Sequence, residues 1–243
     1  VVTGKPIVLG GSLGRTSATG DGVAVAVREA LRIKGIDPHG ATVAIQGFGK
    51  VGYWAAVAME NMGLKVVAVS DVNGGVTGFK NVFSVFEYAS ANGSVVGAPG
   101  TEKITNDELL SLDVDVLVPA ALADAITAST APSIRAKIVV EGANAPTTPA
   151  GDQIMNDKGI LVVPDILANS GGVIVSYFEW VQDKQNYFWS ASEVKENLNS
   201  ILMRSITEVS ERAASQKVTW REAANMIGVG RVAQAHRLRG LYP

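Results

Sequence analysis

The sequence predicts a doubly wound α/β fold: a mostly parallel, Rossmann-like sheet followed by C-terminal helices. Three observations predict it. Short Val- and Ile-rich runs alternate with helical patterns as far as Val163. Those runs are continuously apolar rather than alternating, which suits strands buried on both faces of a parallel sheet. A glycine-rich turn also joins the first run to the helix behind it, where such folds hold a ligand.

Residues 4–22, rich in Gly, Ser and Thr, read as a loop feeding a helix. From 21 to 34 the apolar Val23, Val27, Ala30 and Leu31 recur at helical spacing, and Gly35 supplies a stop. Strands are expected at 42–46, 64–70, 114–119, 137–141 and 160–163, each flanked by Gly, Pro, Asp or Asn. Between them 51–61, 82–91 and 148–158 are helical, the last with Pro149 near its start, where proline is tolerated. After Val163 the character changes, and 169–182, 193–215 and 220–239 read as helices with no further strand. The expected division is a sheet domain over 1–190 and terminal helices over 191–243. Those helices need a partner surface, on the sheet or on something outside the chain.

Composition narrows the function. The chain has 243 residues, with 21 Lys and Arg against 23 Asp and Glu. It therefore lacks the basic footprint of a nucleic-acid binder. No cysteine is present, which excludes disulfides, thiolate metal sites and a cysteine nucleophile. His39 and His236 are far apart, so no metal is expected. No apolar run reaches the roughly 18 residues of a membrane span. No signal peptide is expected at the start of the chain, and the absence of cysteine suggests a cytoplasmic setting.

The strongest motif is Gly47-Phe48-Gly49-Lys50-Val51-Gly52, directly after the strand that ends at Gln46 and opening a helix. Gly47 permits the tight turn, Gly49 lets the backbone approach a pyrophosphate, and Gly52 lets helix and strand pack together. The amides at the helix start then hold the phosphates, helped by the helix dipole. Asp71 ends the next strand, 19 residues after Gly52, where a carboxylate accepts hydrogen bonds from an adenosine ribose. The reading is dinucleotide binding over 1–190. Asp71 repels a 2′-phosphate and favours NAD, while a mobile Lys80 leaves NADP possible. Lys50 either adds charge beside the phosphates or points into solvent, and solvent is favoured.

Three further segments end successive strands. Pro119-Ala120-Ala121 leaves room for a flat ring, and Glu141-Gly142-Ala143-Asn144 offers an asparagine to a ribose or carboxamide. The run from Pro164 to Val173 carries Asn169 at an expected helix start, and glycines that bring backbone close to something. For each asparagine alone a turn or cap role is the commoner explanation. No side chain here is an evident general acid or base. Asp165 fits loop hydrogen bonding at least as well as catalysis, and Ser176 lacks the context of a hydrolase nucleophile.

These residues together resemble the coenzyme-binding part of a glutamate dehydrogenase, within the glutamate, leucine, phenylalanine and valine dehydrogenase family. The resemblance runs from about Thr3 to Pro243. It is carried by Thr3-Gly4-Lys5-Pro6, by Gly10-Gly11-Ser12-Leu13-Gly14-Arg15 with Ala18-Thr19-Gly20, and by the glycine loop. It continues through Pro119-Ala120-Ala121-Leu122, Glu141-Gly142-Ala143-Asn144 with Pro146-Thr147-Thr148-Pro149, Pro164-Asp165-Ile166-Leu167-Ala168-Asn169 with Gly171-Gly172-Val173, and Ser176-Tyr177-Phe178-Glu179-Trp180. The resemblance implies oxidative deamination of L-glutamate to 2-oxoglutarate and ammonia, with hydride passing to NAD.

It also implies roles. Thr19 contacts the nicotinamide carboxamide, Asn144 and Asn169 surround the nicotinamide riboside, and Gln46 to Gly52 with Ala120 and Ala121 hold the coenzyme. Arg15, Asn169, Val173 and Ser176 line the substrate pocket, Ser176 reaching the distal carboxylate. Several positions depart from the family pattern: Asp21 replaces a usual Arg or larger residue, Lys50 a usual Asn, Ala145 a usual Gly, and Ala150-Gly151 a usual Glu-Ala. The catalytic lysine and aspartate belong to an N-terminal domain that the sequence lacks. No catalytic residue is therefore expected here, and the chain alone is expected to be inactive. A homo-oligomer, a hexamer for the whole protein, is the expected assembly. A stand-alone dinucleotide-binding or regulatory module is the alternative.

Overall fold

A computed structural model describes residues 2–240. Val1 and residues 241–243, the latter closing the span of resemblance, lie outside the described residues. Seven strands form one sheet in the order β4-β3-β2-β1-β5-β6-β7. The strands are β1 (Thr42–Gln46), β2 (Lys65–Asp71), β3 (Gly74–Thr77), β4 (Glu102–Ile104), β5 (Val116–Pro119), β6 (Ile138–Val140) and β7 (Leu161–Val163). β2, β1, β5, β6 and β7 run parallel, whereas β3 and β4 add an antiparallel edge. Chain order reverses between β1 and β5, which opens a crevice at the carboxyl ends of these strands.

All five expected strands are present within two residues of their expected ends. The two edge strands were not anticipated. β3 is Gly-Gly-Val-Thr and β4 is Glu-Lys-Ile, so neither carries the apolar run that marks a buried strand. Pairing of β3 with β2 and of β4 with β3, rather than their own composition, makes them strands.

Successive side chains of the parallel strands enter opposite layers. Val43 and Ile45, Val116 and Val118, and Ile138 and Val140 join one core, while Ala44, Leu117 and Val139 join the other. The larger layer holds α1 (Ala18–Lys34), α2 (Lys50–Asn61), α3 (Val82–Asn92), α6 (Asp165–Ala168), α7 (Gly171–Gln185), α8 (Ala191–Gln216) and α9 (Trp220–Arg239). α4 (Asn106–Leu110) and α5 (Pro149–Asp157) cover the other face. Thr148 caps α5 and Pro149 is its first residue, as expected. Val194, Leu198, Leu202, Ile206 and Ala223 put α8 and α9 into the same core as the sheet.

Two boundaries differ from expectation for one reason. α1 begins at Ala18, so Ala18-Thr19-Gly20, ahead of the expected start at Asp21, is helix rather than loop. A β-carbon on Gly20 would stand 2.5 Å from the Ala55 nitrogen, and one on Gly171 2.1 Å from the Ala18 oxygen. The glycines let α2 and α7 press against the start of α1, and that packing outweighs their poor helix propensity. The backbone that Gly171 approaches is thus α1 itself. Asn169, expected at the start of the following helix, instead follows α6, and α7 begins at Gly171.

Candidate coenzyme and substrate cleft

The glycine loop leaves β1 at Gln46 and enters α2 at Lys50. Gly47 has φ +95°, and a β-carbon there would stand 2.7 Å from the Ala121 nitrogen. Its N–H donates to the Ser70 carbonyl at 3.0 Å, tying the turn to β2. A β-carbon on Gly52 would stand 1.9 Å from the Gly47 carbonyl oxygen, so strand and helix do pack through it. Nothing lies within 4 Å of a β-carbon position on Gly49, which leaves the backbone there open to close approach. Gly49 caps α2 without a side-chain bond, so the first amides of the helix face outward unclaimed by a cap.

The side chains of the loop behave differently from its backbone. Phe48 is buried and packs edge-on against Tyr53, with ring centroids 5.9 Å apart, so only its main chain faces the crevice. Lys50 is exposed, in keeping with the solvent reading. At adjacent strand ends, Gln46 Oε1 and Ser70 Oγ are buried with no hydrogen-bond partner among the described residues. Buried polar atoms of this kind need a partner, and a polar ligand over the strand ends is one source. The open amides and orphaned atoms therefore fit a dinucleotide phosphate and ribose.

Asp71 ends β2 half-buried. Its Oδ1 accepts from the Asn73 N–H at 2.8 Å and its Oδ2 from the Val95 N–H at 2.7 Å. These bonds orient the carboxylate and still leave a lone pair on each oxygen for ribose hydroxyls.

Beyond the loop lies an open cleft of about 730 Å³. Val51, Ala120, Ala121 and Asn144 line it, with Thr19 and Arg15 from the α1 side and Asn169, Val173 and Ser176 from the α7 side. Nine expected site residues thus converge from segments far apart in sequence. Thr3, Leu122 and Ala123 line it too. Asn169 Nδ2 donates to Asn144 Oδ1 at 2.7 Å and faces the Ala143 carbonyl at 3.3 Å. Arg15 Nε donates to Ser176 Oγ at 3.0 Å. The serine proton is left free to donate onward. Asn169 and Ser176 were expected on one face of a single helix. They share the cleft, but Asn169 reaches it from the turn before α7.

Arg15 is the one charged residue among the described residues lining the cleft. Glu141 and Asp165 do not reach into it. Glu141 is fully buried, accepts from the Asp165 N–H at 2.8 Å and pairs with Arg221 at 2.6 Å. Asp165 accepts from the Ala145 N–H at 2.7 Å, the loop role expected of it. Arg221 also reaches Asp152 at 3.2 Å. Burial lowers the pKa of its guanidinium, but the bonds to Glu141 and Asp152 outweigh that and raise it. Sequence reading missed Arg221, for it belongs to no motif and meets its partners only in three dimensions. One turn further along α7 from Ser176, Lys5 pairs with fully buried Glu179 at 2.6 Å and with Asp183 at 2.7 Å, anchoring the N-terminal segment.

Residues 10–240 match the profile of the Glutamate/Leucine/Phenylalanine/Valine dehydrogenase family. The chain belongs to this family. It is 52% identical to a glutamate dehydrogenase of Thermotoga maritima, over all of this chain and 59% of that protein. It is 47% identical to the cryptic catabolic NAD-specific glutamate dehydrogenase of Bacillus subtilis, over 98% of this chain and 56% of that one. Among solved structures, the hetero-hexameric glutamate dehydrogenase of Thermus thermophilus, in a Leu-bound form, superposes with a TM-score of 0.93. Its identity is 38%, covering all of this chain and 58% of that one. The chain thus spans less than three fifths of the length of these family members. No helix among the described residues is long and apolar enough to cross a membrane.

Proposed function

We propose that this chain is the coenzyme-binding part of an NAD-dependent glutamate dehydrogenase. The observation that carries the reading is the convergence of the open glycine-loop backbone with a cleft lined by Thr19, Asn144, Asn169, Arg15 and Ser176. The family membership and the NAD-specific relative support the same coenzyme.

When bound, the nicotinamide accepts the hydride that leaves the α-carbon of the amino acid. The chain's own residues bind and orient. The Gly49 to Gly52 amides hold the pyrophosphate at the start of α2. Asp71 accepts from the adenosine ribose and repels a 2′-phosphate. Asn144 and Asn169, locked to each other, face the nicotinamide riboside, and Thr19 faces the carboxamide. Arg15 fixes the Ser176 hydroxyl so that its proton points to the distal carboxylate of glutamate, a charge-assisted bond. No lysine or carboxylate lines the cleft among the described residues. The proton transfers of deamination therefore need groups from elsewhere in the whole protein. By the same reading α8 and α9 also meet the remainder of the protein, which assembles as a hexamer.

Calorimetric titration of the chain with NADH, beside a glutamate oxidation assay, tests both halves of this reading. NADH binding without turnover is expected. Absence of dinucleotide binding would sink the coenzyme reading, and turnover by the purified chain would sink the division of labour.

A further inference from the structure

Arg221 stands in the first turn of α9, remote in sequence from the strand ends it touches. Its guanidinium meets three carboxylates: Glu141 at 2.6 Å, Asp152 at 3.2 Å and Asp165 at 3.6 Å. These come from the end of β6, from α5 and from α6. A planar fork of donors suits such a junction, which a lone ammonium would not span.

The junction leads to the cleft in two steps. The second oxygen of Glu141 accepts from the Asp165 N–H at 2.8 Å, and Asp165 Oδ2 accepts from the Ala145 N–H at 2.7 Å. Ala145 has φ +47°, a left-handed conformation that is unfavourable for a residue with a β-carbon. Its carbonyl accepts from the Asp124 N–H at 3.0 Å, and Asp124 is itself left-handed at φ +55°. The turn is therefore held against its local preference. Next to it is Asn144, bonded to Asn169, which follows α6 directly. Both asparagines thus hang from segments that Arg221 ties together. Without the guanidinium, a fully buried carboxylate and two others would face one another unpaired. The segments would have to separate.

We propose that Arg221 is a positioning residue of the coenzyme cleft. By pinning Glu141, Asp152 and Asp165 it sets the strained turn that carries Asn144 and the loop that carries Asn169. The terminal helix α9 thereby controls how firmly the nicotinamide half of the coenzyme is held. Arg221 itself touches no ligand, and the inference rests on the coenzyme reading of the cleft.

The test compares two ligands. NADH spans the whole site, whereas ADP engages only the glycine loop and the Asp71 region. Calorimetry on the chain should show Arg221→Met weakening NADH about tenfold, the effect of one lost polar contact, with ADP affinity unchanged. Unchanged NADH affinity, or an equal loss for both ligands, would overturn the proposal. If Arg221→Met does not fold, Asp165→Ala cuts the link to Ala145 and must show the same selective loss. Equal losses or none in that variant would overturn it as well. A wild-type chain that binds NADH no more tightly than ADP overturns the positioning role alone. One that binds neither overturns the coenzyme reading and the positioning role with it.

Discussion

The two ends of the cleft are built by different physics. The end proposed to hold the pyrophosphate is a contiguous stretch, Gln46 to Gly52, that offers main-chain amides and few side chains. The other end, proposed to hold the nicotinamide, gathers Arg15, Thr19, Asn144, Asn169 and Ser176, with side-chain bonds joining Arg15 to Ser176 and Asn169 to Asn144. Behind it stand two ion-pair junctions, Arg221 with its three carboxylates and Lys5 with Glu179 and Asp183. Backbone sites are specified by spacing. Side-chain sites depend on distant partners staying in register. The first kind should fail all at once and the second in parts.

The largest effect is expected at the pyrophosphate end. Gly47→Ala puts a β-carbon at φ +95° and 2.7 Å from the Ala121 nitrogen, against rigid backbone. Left-handed strain and overpacking together cost about 3 kcal/mol, so NADH and ADP should both bind roughly a hundredfold more weakly. Retained ADP binding would break the contrast between the ends.

At the other end Ser176→Ala should act on one ligand only. In a full-length protein carrying this sequence, kcat/KM for glutamate should fall roughly 10- to 100-fold, the effect of one lost bond to a charged group. NADH affinity should hardly move. An equal loss of NADH affinity would return Ser176 to a structural role beside Arg15.

Asp71→Ser sharpens the comparison at the adenosine ribose. Removing the carboxylate should narrow the preference for NADH over NADPH by about 1–2 kcal/mol. Some stability should go too, because serine cannot accept from both the Asn73 and Val95 amides. If the ratio of the two dissociation constants does not change, coenzyme choice lies with other groups, such as the exposed Lys50 or Lys80.

Acid should separate the two ends as well. Burial pushes the Glu179 carboxyl up, but bonds from Lys5 and from the Gly4 and Lys5 amides outweigh it and bring it below the usual 4.5. A carboxyl held low contributes stability above that ordinary value and loses it as pH falls through the folded value. Melting curves should show wild type leading Glu179→Gln near neutrality, with the lead shrinking below about pH 4.5. A constant gap would mean that the charge of Glu179 does not hold the N-terminal segment to α7.

The smallest effect is a gain. Ala145→Gly relieves the left-handed backbone beside Asn144 and should raise stability by about 1 kcal/mol, measurable by denaturant unfolding. A loss would show that the turn is less strained than its φ implies.

Much of this architecture was readable before any coordinates. The five parallel strands announced themselves because burial on both faces demands unbroken Val and Ile. The glycine loop and Asp71 followed from spacing. The antiparallel edge stayed hidden: Gly74-Gly75-Val76-Thr77 and Glu102-Lys103-Ile104 become strands only by pairing with β2 and with each other. The helical start of α1 was hidden too, since Gly20 and Gly22 are poor helix formers until α2 and α7 close on them. In the cleft, sequence alone determined the coenzyme loop, the coenzyme class and most of the lining residues, because each sits at a strand end or within a motif. Only the tertiary structure decided that Asn169 belongs to a turn and not a helix, that Phe48 faces the core, and that Arg221 meets Glu141, Asp152 and Asp165. Local geometry is encoded by neighbours along the chain. A buried charge acquires its role from partners that only folding brings within reach.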